Sequence, residues 1–321
     1  MSHSSLLKLP ARILWAMLLP CLFPSAGTAQ TVPPPAAEKG EPAAGQKGLP
    51  EGSPYLRIDR DAHGDPIAML TSIISFRPAA DAREPAGNRD FQVDLIGAVH
   101  VADQRYFQQL NERFRGYDAV LYELVAPEND SVPANGKSRH PVGQLQQGLK
   151  SMLNLTFQLE QIDYARPNFV HADMSPEEFA ESMKERGESF LQMMLRMMGQ
   201  AMAKQPSGTG AGDAQLLFAL FAPDRSLQLK RIVAEQFQDM EGSTKALASG
   251  PDQGSAIIHE RNKKALAVLR QQLAAGKKRI GIFYGAAHMP DMAQRLQEDF
   301  GLQPRGQAEW LKAWDMQTQT Q

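Results

Sequence analysis

The chain has 321 residues, of which 42% are hydrophobic and 22% are charged. This length and composition are typical of a globular protein with one large domain or two small ones. The formal net charge is −2 and the isoelectric point is about 6.4, so the chain lacks the basic excess of a nucleic-acid-binding surface and we expect no nucleic-acid partner.

The N-terminus has the pattern of a secretory signal. Two basic residues, Lys8 and Arg12, precede an apolar run over 13–23, and small residues follow the run. The run is too short to span a bilayer as a helix, so we assign residues 1–29 to a cleaved signal peptide, with a retained membrane anchor as the alternative. We therefore expect a periplasmic or secreted protein that has no stable membrane span after cleavage.

Cleavage would also remove Cys21, the only cysteine of the chain. The mature protein would then have neither a disulfide nor a thiolate, and any metal site must use His, Asp, Glu or water. Residues 30–53 are rich in Pro, Ala and Gly and lack apolar anchors, which predicts a disordered linker. The folded domain is expected over 54–321.

The domain begins with two predicted strands about a His-Gly-Asp-Pro turn at 63–66. A third apolar strand over 93–96 leads into Gly-Ala-Val-His, which ends at His100. A helix with apolar residues at i, i+3 and i+7 follows, with Asp103 as its expected N-cap. The next apolar strand ends near Glu123. Strand, helix and strand in this order predict a parallel βαβ unit.

The middle of the domain, 131–254, is predicted to be a mainly helical insertion. Ser175 and Glu178 have the spacing of a capping box at a helix start. The helix is rich in methionine and forms either an adaptable core or homodimer face, or a lid over a peptide or lipid site. Its methionines are Met183, Met193, Met194, Met197, Met198 and Met202.

The last part of the chain is predicted to begin with a long helix over 255–275. Arg261 and Asn262 lie at its apolar stripe. A polar pair near a buried face needs partners, so the two residues either make structural hydrogen bonds or face a polar site. The chain is expected to close with a short helix in which Trp310 and Trp314 share a face.

The pattern of an apolar strand, Gly-x-x-His and a helix occurs twice, first at Gly97–His100 and again at Gly285–His288. Glycine would let the chain leave each strand through a positive φ angle. The repeat predicts two related halves of one α/β domain, with a central, mostly parallel sheet and flanking helices. An α+β fold is the alternative.

We expect His100, His288 and Glu123 to share a site, because ligands of open α/β sheets gather beyond the carboxyl ends of the strands. Two imidazoles and a carboxylate without a thiol suit a divalent metal that keeps a position open for water. Glu123 is either a metal ligand or the general base. His171 ends another short apolar run and is a candidate further ligand or supporting partner.

The order of these motifs resembles the TraB/GumN/Tiki superfamily. The similar features are a GxxH after a strand, a helix, a strand with a glutamate, a helix with Arg-Asn, and a second GxxH. They cover residues 91–130 and 255–302. The resemblance implies a metal-dependent hydrolase scaffold whose better-known relatives include secreted or membrane-anchored metalloproteases.

By this resemblance, His100 and His288 would bind a divalent metal (Zn, Mn or Co), Glu123 would be the acidic site residue, and Arg261 and Asn262 a supporting polar pair. We expect a hydrolase that cleaves a peptide bond or acts on a small-molecule substrate, with Arg261 or Asn262 stabilising the developing oxyanion. The alternative is a non-catalytic binding protein that sequesters a peptide or a haem-like ligand.

Overall fold

The structure is a computed structural model. It describes residues 54–79, 90–126, 155–185, 222, 224–235 and 258–317. The predicted signal peptide, the linker and all the methionines of the methionine-rich helix except Met183 lie outside these residues. Within the described ranges, no helix combines the length and the apolar character that a membrane crossing requires.

The strands, in chain order, are β1 Leu56–Arg60, β2 Pro66–Pro78, β3 Gln92–Ala98, β4 Val101–Ala102, β5 Ala119–Tyr122, β6 Thr156–Phe157, β7 Phe169–His171, β8 Arg279–Gly285 and β9 Leu302–Asp315. The helices are α1 Gln104–Phe114, α2 Gln158–Gln161, α3 Pro176–Glu185, α4 over 225–235, α5 His259–Ala274 and α6 Met289–Phe300. A 3-10 turn, Ala286–His288, connects β8 to α6.

Among the described residues, the central sheet has seven strands. Six of them follow the order β1-β2-β3-β8-β5-β7, and the seventh, β9, pairs with β2. Strands β3, β8, β5 and β7 are parallel to their neighbours. Of these seven strands, only β2 runs in the opposite direction, since it is antiparallel to β1, β3 and β9. The predicted α/β fold with a mostly parallel sheet and flanking helices is confirmed.

Helices cover both faces of this sheet because the central strands are apolar on both sides. In β3, Ile96 contributes to the hydrophobic cluster that contains α1, whereas Leu95 contributes to the cluster that contains α5 and α6. Burial on both faces explains the continuous apolar runs of β3, β5 and β8. Each fully buried side chain of this kind stabilises the fold by roughly 1.5–3 kcal/mol.

The predicted hairpin at the start of the domain is confirmed: β1 and β2 pair antiparallel. Gly64 lies in the connecting turn with φ of 87°. This conformation is readily adopted by glycine and strained for other residues.

The predicted C-terminal helix is wrong, because this segment forms β9 and pairs with β2. A spacing of four residues suits one face of a helix or of a strand, and pairing along β2 decides for the strand. The register shifts near Ala313, as in a β-bulge. Trp314 is 2% exposed in the core, whereas Trp310 is half-buried and stacks under the Arg57 guanidinium.

The stretch 131–254 is only partly helical where it is described. It contributes α2, α3 and α4, but also β6 and β7, and β7 pairs in parallel with β5 in the central sheet. The predicted capping box is present, since Ser175 N donates to Glu178 Oε2 at 2.8 Å and Glu178 N donates to Ser175 Oγ at 3.1 Å.

Asp103 precedes α1 as expected, but its side chain makes no cap hydrogen bond. Its Oδ1 instead accepts a hydrogen bond from Lys230 Nζ at 2.6 Å, and its Oδ2 accepts one from Asp315 N at 2.6 Å. The carboxylate therefore connects the start of α1 to α4 and to the end of β9.

Candidate functional site

The three residues predicted to form the site meet at one edge of the sheet. Strand β8 lies between β3 and β5, all three in parallel, so the segments that follow them leave the sheet at the same edge. A Cβ atom at Gly285 would lie 3.3 Å from Glu123 Oε2, 3.8 Å from His100 Nε2 and 3.8 Å from His288 Cδ2. His100, Glu123 and His288 therefore surround one backbone position.

The reason for glycine at these strand ends differs from the prediction. Neither Gly97 nor Gly285 has a positive φ angle, and φ of Gly285 is −52°. Gly285 instead permits a close approach, since its N–H donates to Glu123 Oε2 at 2.7 Å and a side chain there would crowd the same oxygen.

Glu123 directly follows β5 and is 5% exposed. Its Oε1 accepts a hydrogen bond from Arg261 Nη2 at 2.7 Å, and its Oε2 accepts the one from Gly285 N. Burial alone would raise the pKa of Glu123, but the Arg261 cation and the neighbouring histidines outweigh burial and hold this pKa well below its usual range. The carboxyl is therefore ionised at neutral pH.

Arg261 connects Glu123 to a second buried carboxylate, Asp173. Arg261 Nε donates to Asp173 Oδ1 at 2.8 Å, and Nη2 donates to Oδ2 at 2.5 Å. The arginine is 1% exposed and Asp173 is fully buried. One cation faces two carboxylates, so this ion-pair cluster has a net charge of −1, which favours a further cation nearby.

Sequence reasoning missed Asp173. It comes two residues after the end of β7, in the segment "NFVHAD". The rule that selected Glu123, a carboxylate just past the end of an apolar strand, would have selected Asp173 if β7 had been recognised as a strand of the central sheet.

Asn262 orients His288. Asn262 Nδ2 donates to His288 O at 3.1 Å and to Asp291 Oδ2 at 2.8 Å. A carbonyl and a carboxylate only accept hydrogen bonds, so these partners determine the orientation of the amide. Asn262 Oδ1, 2.7 Å from His288 Nδ1, must then be the acceptor, and His288 carries its proton on Nδ1.

The other ring nitrogen of His288 consequently has a free lone pair. This nitrogen, Nε2, lies 3.5 Å from Glu123 Oε1. Burial lowers the pKa of His288 to about 4, against the opposing effect of Glu123. At neutral pH, a neutral imidazole nitrogen and an ionised carboxylate therefore face each other without a proton between them.

Arg261 and Asn262, for which support or oxyanion stabilisation was expected, are both buried and hydrogen-bonded to other residues of the site. Asn262 is fully buried, and both hydrogens of its amide are donated within the protein. Arg261 is equally enclosed and donates to two carboxylates. The pair contacts His288 and Glu123 and is enclosed within the protein.

His100 and His171 differ in their surroundings. His100 is exposed, and its Nδ1 lies 3.2 Å from Oε1 of Gln158. His171 Nε2 lies 2.6 Å from the carbonyl oxygen of Leu124, the residue that follows Glu123. His171 therefore has a backbone partner next to Glu123.

The donor set fits a divalent cation in its chemistry. Two ligand atoms about 2.0–2.2 Å from a tetrahedral ion lie roughly 3.4 Å apart, close to the 3.5 Å between His288 Nε2 and Glu123 Oε1. The neutral imidazole and ionised carboxylate are also the protonation states that metal binding requires. As the side chains stand, the described residues form no group of three or more His, Cys, Asp or Glu that could hold a metal ion, so binding by all three would require these side chains to close on the ion.

No protein-family model matches the chain, and no curated protein or solved structure matches it either. The resemblance to the TraB/GumN/Tiki superfamily therefore rests on the motifs and their order.

Proposed function

We propose that the protein is a metal-dependent hydrolase whose site lies at the carboxyl ends of β3, β5 and β8. The observation that carries the proposal is the 3.5 Å separation between His288 Nε2 and Glu123 Oε1. Both atoms present lone pairs, and both side chains are held by buried partners. A cation between them would turn this unfavourable contact into a favourable one.

His100, His288 and Glu123 would hold the ion, which we propose to be Zn, Mn or Co. When bound, such an ion supplies a Lewis acid that makes water a nucleophile near neutral pH. Arg261 and Asn262 keep Glu123 and His288 in the protonation states and orientations that binding needs.

Of the two roles considered for Glu123, the ligand role has the better support. A general base works best when its pKa is close to the working pH. The Arg261 cation and the histidines hold the pKa of Glu123 well below its usual range against the effect of burial, so this carboxylate is a weak base. Its negative charge instead suits a cation.

The peptide substrate and the location outside the cytoplasm have separate grounds. The peptide bond is implied by the resemblance to metalloproteases, with a small-molecule substrate as the other option. The periplasmic or secreted location is inferred from the signal pattern in residues 1–29.

The test uses the mature chain from Gln30, purified without chelator and without a metal-affinity tag. We expect about one metal ion per chain by elemental analysis and hydrolysis of a mixed peptide library. His100→Ala and His288→Ala should each lower both. His63→Ala is the matched control, because His63 lies in the exposed β1–β2 turn.

A metal-free wild-type protein, or hydrolysis that neither substitution at His100 or His288 changes, would contradict the proposal. Retention of a peptide or haem without turnover, unaffected by Glu123→Gln, would favour a binding protein instead.

A further inference from the structure

A short segment of the middle stretch packs directly against His100. Strand β6 pairs with β4, the two residues that follow His100, and α2 begins immediately after β6. At this junction Gln158 N donates to His100 O at 2.8 Å. The backbone of His100 is therefore held by a segment that lies far from it in the sequence.

The side chain of Gln158 contacts the ring of the same histidine. Gln158 is 4% exposed, its Oε1 lies 3.2 Å from His100 Nδ1, and its Nε2 donates to Tyr164 Oη at 2.8 Å. Tyr164 in turn packs against the rings of Tyr122 and Phe169, with centroid separations of 5.0 and 5.5 Å. A buried, anchored amide thus reaches an exposed imidazole.

This arrangement has the same form as the one at His288. In each case, a buried side-chain amide places its oxygen beside Nδ1 and its nitrogen against a third group. For Asn262 this group is the Asp291 carboxylate, which only accepts a hydrogen bond, and for Gln158 it is the Tyr164 hydroxyl, which accepts here and can also donate one. We propose that Gln158, oriented by Tyr164, is a positioning residue that keeps the proton of His100 on Nδ1 and leaves the Nε2 lone pair for a metal.

The proposal rests on the proposed metal-dependent function and explains a requirement of it. An exposed imidazole can rotate and exchange its proton between the two nitrogens, but only an unprotonated nitrogen binds a metal. A hydrogen bond from Nδ1 to an outer acceptor selects the tautomer and the ring orientation, and its loss typically weakens metal binding roughly 10–100-fold.

Metal titration of the mature chain with Zn²⁺ provides the first test. Gln158→Met keeps an unbranched side chain but cannot accept a strong hydrogen bond, so we expect Zn²⁺ affinity to fall roughly 10–100-fold. Gln158→Glu still accepts from Nδ1 and should retain the affinity. Tyr164→Phe removes the partner that orients the amide and should give a smaller loss of the same kind.

Thr156→Val is the matched control. Thr156 Oγ1 donates to Ala102 O at 3.2 Å, so this substitution disturbs the same β4–β6 contact without touching the ring of His100. Affinity should stay at the wild-type value. An equal loss in Thr156→Val and Gln158→Met would reduce Gln158 to a structural role and overturn the proposal.

The second test is ¹⁵N NMR of the metal-free protein at mildly alkaline pH, with the His100 signals assigned from His100→Ala. We expect the proton of His100 on Nδ1 in the wild type and in Gln158→Glu, and a shift toward the Nε2-protonated form in Tyr164→Phe and Gln158→Met. A proton on Nε2 in the wild type would overturn the proposal.

The two tests separate the two ideas. A wild-type protein that binds no metal but carries its His100 proton on Nδ1 contradicts the proposed function and leaves the positioning role standing. A wild-type protein that binds metal, with an affinity that Gln158→Met does not lower, supports the proposed function and contradicts the positioning role. If Gln158→Met does not fold, Tyr164→Phe provides the test, since the positioning role requires the His100 tautomer to shift in that variant.

Discussion

Arg261→Met is expected to destabilise the protein strongly, because Arg261 is the cation that compensates two buried carboxylates. Glu123 is 5% exposed and Asp173 is fully buried, so water cannot solvate either carboxylate once the guanidinium is gone. Removal of one partner from a buried ion pair costs about 3–5 kcal/mol. Since domains are stable by only about 5–15 kcal/mol, urea unfolding of the metal-free protein at neutral pH should show a large shift in midpoint.

The loss of folding stability in Arg261→Met, relative to the wild type, should become smaller at acidic pH. In the wild type, the folded-state pKa of Glu123 is depressed below its ordinary 4.5, despite burial, mainly by Arg261. The stability from this shift is present above pH 4.5 and is lost as the pH falls through the folded-state value. In the variant, burial acts without the cation and favours the protonated carboxyl, so the difference between the two proteins should be greatest at neutral pH.

Two further variants show whether uncompensated charge is the cause. Addition of Glu123→Gln and Asp173→Asn to Arg261→Met removes the carboxylate charges and should recover most of the lost stability. Lys263→Met, on the same helix, breaks a pair with Glu260 in which the lysine side chain is 53% exposed, and it should cost only about 0.3–0.5 kcal/mol. A cost for Arg261→Met as small as that of Lys263→Met would refute the electrostatic account.

Three other predictions address the site and the fold. Gly285→Ala places a Cβ 3.3 Å from Glu123 Oε2 and should weaken Zn²⁺ binding roughly tenfold or more in calorimetric titration. Gly116→Ala, whose Cβ would meet only Arg113 and Arg279, should leave the affinity unchanged. Equal Zn²⁺ affinities of the two variants would argue against the close-approach explanation. The pKa of His288 is about 4 against an ordinary 6.5, so the unfolded chain takes up a proton that the folded protein excludes between these pH values. The free energy of unfolding of the metal-free protein should therefore fall by on the order of 3 kcal/mol from pH 6.5 to pH 4. Urea midpoints that do not change over this range, or that change equally in His288→Gln, would contradict the lowered pKa. Ser175→Ala removes one side of the capping box and should cost about 1 kcal/mol in thermal unfolding, and an unchanged midpoint would mean that the cap contributes nothing.

The local sequence pattern is sufficient to identify most residues of the candidate site. His100, Glu123 and His288 each follow an apolar strand closely, and the carboxyl ends of parallel strands meet at one edge of a sheet. Arg261 and Asn262 were identified because polar residues on a buried helical stripe require partners. These inferences need only periodicity and the βαβ order, which neighbouring residues encode.

Only the tertiary structure could decide which distant segments complete the site. Asp173 and Gln158 come from the middle stretch, and nothing local indicates that β7 pairs with β5 or that β6 pairs with β4. Strand β9 replaced an expected helix for the same reason, since pairing with β2 is a long-range choice. The protonation states of Glu123 and His288 likewise depend on burial and on partners brought together from separate elements, so they follow from packing and not from residue type.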